Sequence, residues 1–189
     1  MIRIGILGDI GSGKSYVAKN FGYPVFNADV EVAKLYKKER KIFNKLKKIL
    51  PKHIHSFPIN KNEICNAILA KNSNLKKIIT TVHLEIRKKM IKFLKKNINK
   101  KVVILDIPLL LENKINNKED ILVFVQSKKI DIFKKLKKRK NFNLKLYKRF
   151  KNIQFSPDYK KKKSQFVIKN NFTIKSVKRS IKKILKDIL

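Results

Sequence analysis

Residues 2–15 read "IRIGILGDIGSGKS", an apolar run that passes straight into glycines, a lysine and a serine at fixed spacing. Gly8, Gly13, Lys14 and Ser15 fill the pattern G-x-x-x-x-G-K-[ST] without a mismatch. Glycines in this pattern let the backbone wrap close to phosphate oxygens and turn its N–H groups inward. Lys14 is placed to reach β- and γ-phosphates, and Ser15 to ligate Mg²⁺. The helix "KSYVAKNF" that follows aims its positive N-terminal end at the same anion. A strand before the loop and a helix after it are the context the motif needs, and together they predict a bound nucleoside triphosphate. The intervening positions Asp9, Ile10, Gly11 and Ser12 contribute backbone more than side chain, and Tyr16 follows directly on the new helix.

Outward from the loop, short apolar runs alternate with lysine-rich helical stretches. Strand candidates are residues 2–7, 24–28, 102–107, 121–125 and 165–169, each a near-continuous apolar run of the kind parallel strands show when both faces are covered. Helices are expected over 14–21, 29–50, 73–97, 129–139, 143–152 and 173–188. Strand–helix alternation predicts an α/β fold with a doubly wound parallel sheet. The stretch between the second and third strands is too long for one crossover helix and predicts a helical insertion. A second excursion, 140–164, is rich in Lys and Arg.

Composition narrows the function classes. At 189 residues with 43% hydrophobic content, the chain is long enough for one well-buried α/β domain. No apolar run approaches the roughly 20 residues that span a bilayer, so no membrane association is expected. The first strand begins at once, leaving no room for a signal peptide, and the single cysteine, Cys65, forms no intrachain disulfide. A cytoplasmic protein is the expectation. The net charge of +36 invites a nucleic-acid reading. However, the lysines are diffuse, accompany abundant Asn and Ile, and are matched by no Trp for base stacking. Those residue types share A/T-rich codons, so the charge is read as compositional, with no specific nucleic-acid partner.

Which acceptor receives the phosphate is a separate question. In "FNADVEVAKLY", Asp29 falls where the second strand gives way to a helix. Parallel α/β sheets bind ligands at their strands' carboxyl ends, so this carboxylate is placed to accept a hydroxyl proton or hold metal. It is equally placed to cap the helix. The residues alone leave both readings open.

The segments "IGILGDIGSGKS", "NADVEVAKL", "HLEIRKKM", "VVILDIPLLLEN" and "QFVIKNN", in this order and spacing, resemble the dephospho-CoA kinase family over essentially the whole chain. "DIPLLLEN" is the most family-specific piece. The resemblance implies a three-layer P-loop kinase fold: a five-stranded parallel sheet with a helical substrate-binding insertion and a lid. It implies a single unit with core 1–28, 98–134 and 165–189, insertion 29–97 and lid 135–164. It also implies transfer of the ATP γ-phosphate, with Mg²⁺, to the ribose 3′-hydroxyl of dephospho-CoA. Under that resemblance Asp29 is the base, with Lys14 and Arg139 as catalytic cations. His83, Arg87, Asp106, Pro108, Leu109 and Leu110 lie near the acceptor, with Glu112 in the same stretch. Arg139 and Arg149 resemble lid arginines, and Asn170 lies near the adenine.

Several of these residues have plainer readings. Asp106 suits a strand-end hydrogen bond as well as a metal-facing acid, and His83 suits ordinary helix packing. His53 and His55 read as loop residues, and Lys160–Lys163 as a solvated run. The chain departs from the family pattern at Asp9 (usually Gly), Asn27 (usually Asp), Leu84 (usually Pro) and Gln165 (usually Asp). The Asp9 carboxylate is expected to point away from the phosphates, toward a lid cation. Rival readings are another small-molecule or nucleotide kinase of this architecture, or a basic ATP-driven nucleic-acid protein.

Overall fold

The computed structural model describes every residue except Asn141. The chain forms two compact units: residues 1–27, 94–142 and 153–189 in one, and 28–93 with 143–152 in the other.

The first unit holds a five-stranded, all-parallel sheet in the order β2-β3-β1-β4-β5. Its strands are β1 (Ile2–Gly8), β2 (Val25–Asn27), β3 (Val102–Asp106), β4 (Ile121–Gln126) and β5 (Phe166–Lys169). Their apolar runs alternate between two buried faces. On one face Ile4, Ile6, Ile104, Val123 and Ile168 pack with Val17 of α1 (Lys14–Asn20), Phe21 just beyond it, and Val177, Ile181 and Ile184 of α9 (Ile174–Ile188). The stripe along α9 is the expected core face. On the other face, Leu110 and Leu122 close over Gly5, whose missing side chain they need: a Cβ there would sit 2.6 Å from Leu110 Cδ2.

Two polar ties fix the sheet's margin. The guanidinium of Arg3 grips Asp120 at two points, with Nη2 donating to Oδ2 at 3.0 Å and Nε 2.9 Å from Oδ1. The Nε contact is one of charge, without an aligned hydrogen bond. Burial pushes the Asp120 carboxyl up, against the pull of the Asn117 N–H and of Arg3. Gln165, at the head of β5, donates its N–H to Leu122 O and accepts from Leu122 N at 2.7 Å through Oε1. The amide thus extends the ladder by one bond where the family's aspartate is replaced. The first unit also contains α6 (Lys129–Lys137) and α8 (Pro157–Lys162).

The second unit is helical: α2 (Ala28–Lys38), α3 (Arg40–Ile49), α4 (Lys61–Ala70), α5 (Asn72–Lys96) up to Phe93, and α7 (Leu144–Asn152). The single helix expected over 29–50 is two. Glu39 leaves helical backbone (φ −102°, ψ 93°) and its carbonyl restarts the ladder by accepting from Ile42 and Phe43. Helices α4 and α8 lie outside the individually expected helical stretches, α4 within the expected helical insertion. Each begins on a side-chain cap: Asn60 accepts from Asn62 N, and Ser156 from Tyr159 N with Pro157 next to it. In α5, Leu84 keeps the backbone N–H that a proline lacks, and the helix runs 25 residues.

Candidate active site

The sheet's chain order reverses about β1: the chain leaves it toward β2 and β3 on one side and reaches β4 and β5 on the other. Ligands bind at the carboxyl ends of strands at such a switch point, and the glycine loop lies there. Gly8 ends β1 in register with Val125, and a Cβ on it would meet Val125 O at 2.8 Å. Gly13 caps α1 at φ 90°, in the left-handed region that side chains avoid. The α1 ladder opens with Val17 N donating to Gly13 O, so the first-turn N–H groups are turned outward for an anion. Lys14 folds back along the loop and donates to Gly8 O at 3.2 Å and Asp9 O at 2.8 Å.

The Asp9 carboxylate is turned to its own neighbour: Oδ1 accepts from Ile10 N at 2.7 Å. A turn closes across the loop, Ser12 N donating to Asp9 O. The backs of these residues are held from outside. Ser12 O accepts both Asn170 Nδ2 at 2.8 Å and Ser127 Oγ at 3.0 Å. Ser15 and Tyr16 expose their side chains on α1.

At the ends of β2 and β3, Asn27 and Asp106 are register partners. Asp106 is 3% exposed, and its Oδ2 accepts from Asn27 Nδ2 at 2.5 Å. Where the family's usual aspartate would oppose a second carboxylate, asparagine supplies a donor. Pro108, Leu109 and Leu110 follow in a helical turn, with Leu110 fully buried. Its side chain is therefore committed to the core under Gly5.

Glu112, in the same turn, shows something the sequence did not suggest. Its Oε1 accepts from Lys160 Nζ and from Phe155 N, both at 2.9 Å. Lys160 also donates to Gln154 Oε1 and is only 2% exposed. The solvated reading of Lys160–Lys163 is therefore corrected: Lys161–Lys163 are exposed, but Lys160 is a buried ion-pair partner. Its counter-ion, Glu112, lies far back along the chain, which is why the lysine run concealed it.

Arg139 is exposed just beyond α6. In the second unit, Asp29 lies within the first turn of α2, which already starts at Ala28, so it does not precede the helix as an N-cap. His83 and Arg87 are one turn apart on α5, His83 half-buried and Arg87 exposed. Burial lowers the His83 pKa below 6.5, helped by the Arg87 charge. Its Nε2 is buried and has no hydrogen-bond partner among the described residues. Arg149 is engaged within this unit, donating to Leu69 O at 3.0 Å and to Asn72 Oδ1, so its fork joins the end of α4 to the start of α5. His53 and His55 lie between α3 and α4. Among the described residues no cluster of three or more His, Cys, Asp or Glu is arranged to hold a metal.

A parallel sheet ordered 2-3-1-4-5, with a lysine-bearing glycine loop at its switch strand, defines a P-loop kinase. Solved structures share this fold: a Thermus thermophilus protein at TM-score 0.79 and 24% identity, covering 100% of this chain and 98% of that one. The dephospho-CoA kinase from Campylobacter jejuni follows at TM-score 0.62 and 19% identity, covering 98% and 96%. The family model described as dephospho-CoA kinase matches residues 2–176. A relative named dephospho-CoA kinase from Wolbachia pipientis wMel is 31% identical over 96% of this chain and 95% of its own length. The chain belongs to the dephospho-CoA kinase family and is an ATP-dependent kinase.

Proposed function

We propose that the chain transfers the γ-phosphate of ATP to the 3′-hydroxyl of dephospho-CoA, giving coenzyme A and ADP. The observation that carries this reading is the loop at the end of β1, shaped by Gly8 and Gly13 and spanned by Lys14, in a chain of this family. The acceptor oxygen attacks the γ-phosphorus in line, the bond to the β–γ bridging oxygen breaks, and the electrons leave with ADP. Asp29 takes the hydroxyl proton. Its support is its place two residues past Asn27, the last residue of β2, in a helix's first turn. Lys14 exchanges loop carbonyls for β- and γ-phosphate oxygens, and Arg139 adds charge from beyond α6.

The N–H groups from Gly8 to Tyr16 cradle the phosphates, and Asn170 serves ATP binding from the end of β5. His83, Arg87, Asp106, Pro108, Leu109 and Leu110 form the acceptor's surroundings, Leu110 through packing. The span 29–97 serves as acceptor-binding insertion and 135–164 as lid, around a core of 1–28, 98–134 and 165–189. Phosphoryl transfer depends chiefly on positioning and charge stabilisation, so exclusion of water by such a lid suppresses hydrolysis. Mg²⁺ fits hard oxygen donors, and the exposed Ser15 hydroxyl on α1 and the Asp106 carboxylate at the neighbouring strand end supply them. When bound, the ion neutralises charge on the β- and γ-phosphates.

No helix among the described residues is long and apolar enough to cross a membrane. Cys65 is a free thiol, which suits work in the reducing cytoplasm. The test is ADP formation with dephospho-CoA as the varied acceptor. Saturable, acceptor-dependent turnover is expected. Turnover supported instead by AMP, CMP or dTMP, with none from dephospho-CoA, overturns the assignment.

A further inference from the structure

We infer that Asn170 is a positioning residue for the phosphate loop, not a reader of the nucleotide base, and that it acts with Ser127 by fixing the Ser12–Gly13 peptide. The inference rests on the nucleotide-binding reading above and concerns how this chain holds that site ready.

Asn170 follows β5 and is 3% exposed. Its partners fix the amide's orientation, since a carbonyl faces one end and an N–H the other. Nδ2 donates to Ser12 O at 2.8 Å, and Oδ1 accepts from Phe172 N at 2.8 Å. The Asn170 backbone N–H donates to Gln126 O at 2.7 Å, pinning the residue to the end of β4. Ser127, one residue further on, sends its hydroxyl to the same Ser12 O. Both lone pairs of one loop carbonyl are thus matched by donors from two different strand ends.

The consequence follows from peptide geometry. A trans peptide is planar, so its C=O and N–H point in opposite directions. Drawing Ser12 O toward Asn170 and Ser127 turns the Gly13 N–H to the loop's other side, where the phosphates of a P-loop lie. The packing leaves no slack in this arrangement. A Cβ on Gly13 would stand 2.4 Å from Asn170 Nδ2, so the glycine is required by the amide as well as by its φ of 90°. Phe172, held by Asn170 at φ 63°, also approaches Gly13, and Lys135 Nζ covers its ring at 4.5 Å from the centroid. The carbonyl and one amide hydrogen of Asn170 are therefore committed to protein backbone.

A base contact and a loop support are separable because inorganic tripolyphosphate has phosphates and no base. Binding of Mg·ATP, Mg·GTP and Mg·tripolyphosphate would be measured by calorimetry for the wild type, Asn170→Ala and Ser127→Ala. Asn170→Ala is expected to weaken all three by a common factor of about 5 to 20, and Ser127→Ala by a common factor of about 2 to 5. Loss confined to ATP, with tripolyphosphate unaffected, assigns Asn170 to the base and overturns the inference. So does unchanged binding of all three. If Asn170→Ala does not fold, Ser127→Ala decides alone: unchanged tripolyphosphate affinity in that variant overturns the inference. A wild type that binds neither ATP nor tripolyphosphate defeats the nucleotide-site reading itself, a distinct outcome.

Discussion

Asn27 Nδ2 donates to Asp106 Oδ2 at 2.5 Å, between two strand ends that the sheet's register places side by side. Restoring an acid at position 27 sets two carboxylates against each other at a nearly buried site. Asn27→Asp is expected to lower the unfolding free energy by about 2 kcal/mol at neutral pH, because one oxygen pair must share a proton or repel. The carboxyl kept protonated has a folded pKa above its unfolded value near 4. The variant's deficit is therefore smallest below that value and grows as pH rises through the folded one. Urea titrations across pH, with and without Mg²⁺, check this, and Mg²⁺ should narrow the gap.

Asp29→Asn removes the proposed base and keeps the shape of the first turn of α2. The expected result is a fall in kcat of about 10²- to 10⁴-fold with ATP affinity nearly unchanged. Steady-state kinetics combined with ATP-binding calorimetry separates the two. A kcat equal to wild type removes Asp29 from the chemistry.

Lys160 and Glu112 form a buried pair that tolerates joint removal better than single removal. Lys160→Met leaves the Glu112 carboxylate without its counter-ion and is expected to cost about 3 to 5 kcal/mol. Lys160→Met with Glu112→Gln should cost markedly less. A double-mutant cycle on unfolding free energies gives the coupling.

His83 carries a folded pKa below 6.5. Between the folded value and 6.5 the unfolded chain binds more protons, so stability rises with pH there. The contribution is fully present above about 6.5 and is lost as pH falls through the folded value. NMR titration of the His83 ring should give a midpoint below 6.5. Wild type should lose more stability than His83→Gln between about pH 8 and about pH 5.

What was legible in the sequence depended on how local its cause was. The loop at residues 8–15 was readable because its glycines, lysine and serine act within eight positions. The five strands were readable because burial on both faces leaves near-continuous apolar runs. Helix α8 was missed although Ser156 and Pro157 announce it, since "PDYKKK" shows no apolar stripe. The break at Glu39 has neither glycine nor proline to signal it. The least legible features join distant positions: Asn27 to Asp106, Asn170 to Ser12, and Lys160 to Glu112. For Asp9, the turn toward the Ile10 N–H is a local event between adjacent residues.

The grip of Arg3 on Asp120 says something about the chain's vocabulary of cations. The sequence has six arginines against 43 lysines, so lysine serves nearly everywhere that a positive charge alone suffices. Arg3 and Arg149 each hold two separate acceptor atoms with one planar fork, which a single ammonium on a flexible stem reproduces poorly. Arginine survives here as a shape, and lysine as a charge. Exchanging the two at Arg3 would keep the net charge of +36 and lose the two-point contact to Asp120 just before β4.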